Sequence, residues 1–402
     1  MKQVTDSSLA INGGKPVREQ MLGYGHQLID DADIAAVEEI LRSDYLTCGP
    51  TTELFEEALC GVTGAKYCTA VSNGTAALHV ACLSAGIKPG DEVIVSPITF
   101  AASANCVLYC GGTPVFADIK PDTWNIDPAS IEERVTDKTK AVVAVDFGGC
   151  PVDHKAIREI CDKHGLTFIE DAAHAIGTSD EMGTIGSIAD ITCFSFHPVK
   201  TITTCEGGAV MTNSDHLGTT VELYAKHGIT RRPELLLNDE GGWYYEELVL
   251  GYNYRINDVE AALGISQLKK LDEFSARRRE LVAYYNEQFK DVPHVSFQVD
   301  STPEKTTRHL YCLRFDVDAL GVDRKWIYDA LRAEGLGVNV HYQPVYHLPY
   351  YREHGFENVA LPEAEAYYRQ AVTIPLHCAM SDADARDVVA AVKKVLAAAE
   401  RA

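Results

Sequence analysis

Between Tyr67 and Asp171 the chain alternates short β-branched runs with stretches of helical periodicity, and no other feature restricts the fold as much. After the run at Tyr67 come AALHVACLSAG, DEVIVSP, AASANCVLYCG, TPVFADI, DPASIEERV, AVVAVDF, HKAIREICDKHG and LTFIED. This alternation predicts an α/β fold, with a mostly parallel sheet covered by helices on both faces. In such sheets ligands bind at the C-terminal ends of the strands, so the loops there are where chemistry is expected.

A length of 402 residues suits two compact domains. The reading divides the chain into an N-terminal segment (1–30), a large domain (31–260) and a smaller C-terminal α/β domain (261–402). Residues 31–43 read as a surface helix. The charged, breaker-poor run NDVEAALGISQLKKLDEFSARRRELVAYYNEQFKD reads as one long helix bridging the two domains. LYCLRFD is a strand, and DRKWIYDALRAEG and the C-terminal DADARDVVAAVKKVLAAAERA are helices of the smaller domain.

Charge and composition exclude several function classes. With 36 Lys and Arg against 58 Asp and Glu, the formal net charge is −22, a field that repels nucleic acids and anionic membrane surfaces. The N-terminus lacks the apolar core of a secretory signal, and no run approaches a membrane span, so a cytoplasmic protein is expected. The twelve cysteines form no C-x-x-C pair, and Cys82, Cys106, Cys161 and Cys193 sit in apolar runs as small hydrophobes. No metal is expected; His341 and His347 are the nearest approach to a ligand pair.

Four constellations carry candidate chemistry. In SNGTAALH, Gly74 permits close backbone approach, while free N–H groups and the Thr75 hydroxyl can hold a phosphate at a helix N-terminus; an ordinary N-cap reads the same way. Neither a nucleotide P-loop nor a G-x-G-x-x-G fingerprint is present. LTFIEDAAHAIG ends a strand in Glu170 and Asp171, followed by His174. Asp171 at that place serves as a base, a metal ligand, a partner for a heterocyclic N–H, or merely a helix cap. ITCFSFHPVKTITTCEGGAV sets Lys200 among aromatic, Thr and Gly residues, which suits a nucleophilic amine of lowered pKa as well as a snorkelling loop lysine. Ser195 and the pair Gly207-Gly208 lie in the same stretch. WYYEELVLGYNYRINDVEAALG, with Asn253 and Arg255, reads as a subunit contact that also completes a ligand pocket.

Taken in order, SNGTAALH, PITFAASAN, IEDAAHAIG, FSFHPVKTITTCEGGAV and GYNYRINDVEAALG resemble the DegT/DnrJ family of fold type I pyridoxal-phosphate (PLP) sugar-nucleotide aminotransferases, from about residue 22 to the C-terminus. The resemblance implies that Lys200 is the Schiff-base lysine, that Asp171 pairs with the pyridine nitrogen, and that Phe100 covers the ring face. It further implies that Gly74, Thr75 and Ser195 hold the cofactor phosphate and that His174 stands near the ring hydroxyl, where many members have Gln. Asn253 would reach the phosphate in the neighbouring subunit of a homodimer with shared active sites. The cofactor would cycle between PLP and pyridoxamine phosphate, with L-glutamate as amino donor.

Three further stretches resemble the pseudaminic-acid branch of the family: MLGYGHQLIDDADIAAVEEILRSDYLTCGP, KHGITRRPE with WYYEELVLGYNYR, and GVNVHYQPVYHLPYYR. That branch aminates C4 of UDP-2-acetamido-2,6-dideoxy-β-L-arabino-hex-4-ulose. Arg231, His341 and Tyr342 then become candidates for contacts to the donor carboxylate or the sugar nucleotide. Cys205 departs from the family's T-T-G-E-G-G stretch, where Gly is usual, so the backbone just after Lys200 loses freedom. Transamination of another nucleotide-linked keto sugar, a PLP-dependent dehydratase and a non-catalytic sensor are the alternatives. Lys200 argues against the dehydratase, whose members carry His there.

Overall fold

The computed structural model describes residues 2–238 and 240–402. Its centre is a seven-stranded sheet of β1 (Tyr67–Val71), β2 (Glu92–Val95), β3 (Thr113–Phe116), β4 (Thr139–Val145), β5 (Thr167–Asp171), β6 (Ile191–Ser195) and β7 (Gly208–Thr212), in the order β1-β7-β6-β5-β4-β2-β3. β7 is antiparallel to both its neighbours, and the other contacts are parallel. The β4 sequence TKAVVAV is buried at every position except Lys140, as expected of a central strand covered on both faces.

Strand periodicity sorts the two faces. Val143 and Ile169 join a core with Leu78 and Val80, whereas Val142 and Phe168 join a separate core with Ile157 and Cys161. Successive side chains of β5 therefore send Glu170 and Asp171 to opposite sides of the sheet.

Helices α1 (Asp31–Leu41), α2 (Pro50–Thr63), α3 (Gly74–Ser84), α4 (Ala102–Tyr109), α5 (Pro128–Arg134), α6 (His154–His164) and α7 (Asp215–Ala225) follow the expected alternation. The single long helix expected across 257–291 is instead two, α8 (Asp258–Leu268) and α9 (Leu271–Phe289). The break has a tertiary cause. The Lys270 ammonium reaches Asp33 at 2.6 Å and Asp30 at 2.9 Å, while the Gln267 amide donates to the Leu28 carbonyl at 3.0 Å and to Asp33 at 2.8 Å. Anchoring both residues to the start of α1 turns the chain at a point where the helical pattern has no breaker.

The C-terminal part holds an antiparallel sheet of β8 (Val295–Phe297), β9 (Tyr311–Phe315) and β10 (Ala371–Ile374), with α10 (Arg324–Ala333) and α11 (Asp382–Arg401). The N-terminus is tied to it: Val4 and Leu9 share a core with Leu331 and Leu396, and Leu22–Gly23 pairs in parallel with Leu336–Gly337. Cys82, Cys106, Cys161 and Cys193 are buried free thiols. Among the described residues no helix is long and apolar enough to cross a membrane.

Candidate active site

The C-terminal ends of β1, β5 and β6 open onto a cavity of about 880 Å³, which Tyr24 and residues 339–342 also line. Nine of the residues singled out in the sequence line it: Gly74, Thr75, Phe100, Asp171, His174, Ser195, Lys200, His341 and Tyr342. Asn253 and Arg231 do not. Asn253 is exposed and makes a β-bridge with Lys226. Arg231 is exposed, its guanidinium 5.8 Å from the centre of the Tyr245 ring.

One wall is the N-terminus of α3. The Asn73 side chain caps it by accepting the Ala76 N–H at 2.8 Å, and among the described residues the N–H groups of Gly74 and Thr75 have no acceptor. Those two donors and the helix dipole face the cavity beside the Thr75 and Ser195 hydroxyls, an arrangement suited to a phosphate dianion. Glycine makes the approach possible: a Cβ on Gly74 would stand 2.8 Å from Ser195 Cβ, and one on Gly208 would stand 2.6 Å from the Asn73 carbonyl.

Asp171 ends β5 almost fully buried. Its Oδ2 accepts the Ser103 hydroxyl at 2.5 Å and its Oδ1 the Ala173 N–H at 3.2 Å. Burial raises its pKa, while those two hydrogen bonds and the nearby Lys200 pull it back. Lys200 is half-buried, with no hydrogen bond or ion pair to its amine among the described residues. Burial brings the amine down to about 8 against the opposing pull of Asp171, so a substantial neutral fraction exists near neutral pH.

His174 lies between a backbone donor and the cavity. The Gly148 N–H points at Nδ1 at 3.3 Å, and the Tyr342 hydroxyl lies 3.4 Å from Nε2. A backbone amide only donates, so Nδ1 is the acceptor and Nε2 carries the hydrogen. Burial, with Lys200 and His341 nearby, lowers its pKa far below the usual histidine range and keeps the ring neutral. His341 is pushed down to about 3 by burial and Lys200, and its Nδ1 lies 2.8 Å from the Thr373 hydroxyl. His347 instead meets Glu365 at 2.8 Å, so the two histidines hold separate partners. Phe100 projects with its ring largely exposed, 6.4 Å from that of Tyr342.

Two groups of importance escaped the sequence reading. Ser103 and Thr99 lie within PITFAASAN, where the only available signal was a hydroxyl three residues after Phe100. Behind the sheet, Asp146, His154 and Glu170 form a buried trio with metal-ligand spacing. There His154 Nε2 bonds Glu170, its Nδ1 meets Asp180 at 2.6 Å, and Glu170 also accepts the Thr192 hydroxyl at 2.7 Å. Burial alone would lower the pKa of His154, but these carboxylates push it up to about 11. The ring is an imidazolium clamped between them.

An aldehyde calls for the free amine, a protonated heterocycle for the buried carboxylate, and an anionic ester for the free N–H groups at the start of α3. Pyridoxal 5′-phosphate presents all three on one molecule, and the residues present fit it; fold and site together define a fold type I PLP-dependent transferase. Residues 27–393 match the DegT/DnrJ/EryC1/StrS aminotransferase family, and the chain belongs to that family.

Among its relatives, the spore coat polysaccharide biosynthesis protein SpsC of Bacillus subtilis is 40% identical over 385 residues, spanning 95% of this chain and 99% of SpsC. The UDP-4-amino-4,6-dideoxy-N-acetyl-β-L-altrosamine transaminase of Campylobacter jejuni is 38% identical over 371 residues, 92% of this chain and 96% of that protein. Among solved structures, PseC of Helicobacter pylori, an aminotransferase of pseudaminic acid biosynthesis, superposes with a TM-score of 0.86 at 33% identity, covering 94% of this chain and 100% of PseC. The sugar aminotransferase Spr1654 of Streptococcus pneumoniae, solved in PLP and PMP forms, gives a TM-score of 0.86 at 29% identity in both, covering 94% of this chain and 99% and 98% of those chains. The chain is thus a transaminase whose cofactor alternates between PLP and PMP.

Proposed function

We propose that this enzyme moves the amino group of L-glutamate to the C4 ketone of a nucleotide-linked keto sugar, UDP-2-acetamido-2,6-dideoxy-β-L-arabino-hex-4-ulose. The product is UDP-4-amino-4,6-dideoxy-N-acetyl-β-L-altrosamine, for pseudaminic acid, made in the cytoplasm. The observation that carries the transaminase reading is the Lys200 amine, unpaired among the described residues, sharing one cavity with Asp171 and the free N–H groups of Gly74 and Thr75. The activity of the Campylobacter relative and the pathway of PseC support the choice of sugar. The SpsC match favours a second reading, a different sugar nucleotide destined for a surface polysaccharide.

Bound PLP supplies the aldehyde that takes up the substrate nitrogen and the electron-withdrawing ring that tolerates loss of the Cα proton. The remaining work belongs to the protein. The Gly74 and Thr75 amides with the Thr75 and Ser195 hydroxyls would hold the phosphate, and the Asp171 carboxylate would accept the hydrogen of the ring nitrogen. Lys200 Nζ, neutral for an appreciable fraction of the time, accepts and returns the transferred proton. His174 would donate from Nε2 while staying neutral, and Phe100 would cover the ring.

Among the described residues, Lys200 is the sole Lys or Arg lining the cavity. A donor carboxylate and a sugar-linked diphosphate require a further cation, and in this reading Arg231 arrives from a second copy of the chain, whose Asn253 amide reaches the cofactor phosphate. The segment between these two residues carries exposed Leu237, Trp243, Tyr245 and Leu250, which suits a homodimer contact.

The test follows the absorbance of the purified, PLP-loaded enzyme. A band near ~420 nm should fall with L-glutamate and return with the L-arabino UDP-keto sugar. A band that falls but returns only with another nucleotide sugar moves the assignment to the second reading. A band indifferent to every amino donor removes the transaminase mechanism. Lys200→Ala should abolish turnover while leaving the far-UV circular dichroism unchanged.

A further inference from the structure

The turn that carries Phe100 also carries a chain of hydroxyls leading to Asp171. Ser103, with no exposed surface, sits in the first turn of α4 with its Oγ 2.5 Å from Asp171 Oδ2 and 2.6 Å from Thr99 Oγ1. A serine hydroxyl has one hydrogen to give. The 2.5 Å contact to a carboxylate takes it in preference to the 3.3 Å contact to the Phe100 carbonyl. Thr99 must then donate to Ser103, and the bonds run one way, Thr99 to Ser103 to Asp171. Thr99 is itself buried. With the Ala173 N–H on Oδ1, each carboxylate oxygen has one donor from the protein, and the pair is held in a single rotational position. All the donors favour the ionised carboxylate in a place where burial alone would favour the neutral acid.

We infer that Ser103, backed by Thr99, is the positioning residue of Asp171: it keeps that carboxylate ionised and aimed into the cavity, so that Asp171 can only accept a hydrogen there. The inference rests on the PLP reading above and adds the groups that make Asp171 competent for it. The α4 N-terminus contributes in the same direction, because its positive end lies against the same carboxylate.

The experiment uses full-length, PLP-loaded enzyme and the variants Ser103→Ala, Ser103→Thr and Thr99→Val. Removing one hydrogen bond to a charged acceptor in S103A should lower kcat roughly 10- to 100-fold, with KM for L-glutamate within about threefold. It should also move the pH at which the cofactor's visible band changes by about one unit, a shift that a purely structural role would not produce. S103T, which restores a hydroxyl, should return kcat and the pH profile to near wild-type values. T99V should shift both in the same direction as S103A by less, and it carries the test if S103A fails to fold. The inference is overturned if S103A keeps the wild-type pH profile and kcat, or if S103T is as impaired as S103A. It also falls if wild-type protein forms no visible band with PLP, but then together with the functional reading; a normal wild-type band with an indifferent S103A removes the inference alone.

Discussion

Replacing Gly74 with alanine tests the phosphate cradle with a single methyl group. The new Cβ would lie 2.8 Å from Ser195 Cβ and 3.1 Å from its Oγ. Carbon atoms settle at about 3.5 to 4.0 Å, so α3 and the end of β6 must separate by roughly 1 Å. Those two elements carry the donors proposed for the phosphate, and a ligand cannot follow both. Losing one hydrogen bond to a charged group costs about 1.5 to 3 kcal/mol, and a factor of ten in affinity corresponds to about 1.4 kcal/mol. The expected weakening of PLP binding is therefore about 10- to 150-fold. The assay is titration of cofactor-free protein with PLP, followed by absorbance or quenching of intrinsic fluorescence. The Asn73 cap is not disturbed, and overpacking of this kind costs about 1 to 3 kcal/mol, so the cofactor-free variant should stay folded with a modestly lower thermal midpoint. A dissociation constant within threefold of wild type, in a folded variant, would refute the assignment of this helix end to the phosphate.

His154→Ala should destabilise the fold by about 3 to 5 kcal/mol, because it strands buried Glu170 and its partners without their cation; urea denaturation of both proteins measures it. The folded-state pKa of His154, about 11, lies above the unfolded value near ~6.5. Its contribution is therefore complete below about pH 6.5 and is lost as pH rises toward 11, so the wild-type advantage over H154A should shrink between pH 7 and 10. An advantage that grows with pH would reverse the charge assignment. Cys205 adopts a left-handed backbone, φ 71°, with its side chain exposed. Cys205→Gly should relieve strain of about 1 to 3 kcal/mol at a chain-entropy cost of about 0.5 to 1 kcal/mol, giving a small net rise in thermal midpoint; a fall would show that the thiol makes a contribution of its own.

Much of the site could be read directly because its residues follow strands closely in sequence. Gly74, Asp171 and Ser195 each stand at or just beyond the end of a strand whose pattern was plain, so parallel topology alone brings them to one edge of the sheet. Ser103 was hidden because its importance depends on a partner 68 residues away. The break between α8 and α9 was equally hidden, since Lys269 and Lys270 suit a helix interior and only the carboxylates of residues 30 and 33 turn the chain there. His154 is an ordinary helix-start residue until Glu170 and Asp180 close on it from other elements.

The amino-acid sequence by itself determined the alternating elements, the face each side chain of β5 occupies and the chemistry available at the strand ends. These depend on local periodicity and on residue type. Tertiary structure alone decided the states of those groups: the neutral Nε2–H form of His174 beneath Gly148, the lowered pKa of Lys200 and the one-way hydroxyl chain to Asp171. Desolvation and hydrogen-bond direction depend on which distant atoms close around a group, and local sequence does not encode that.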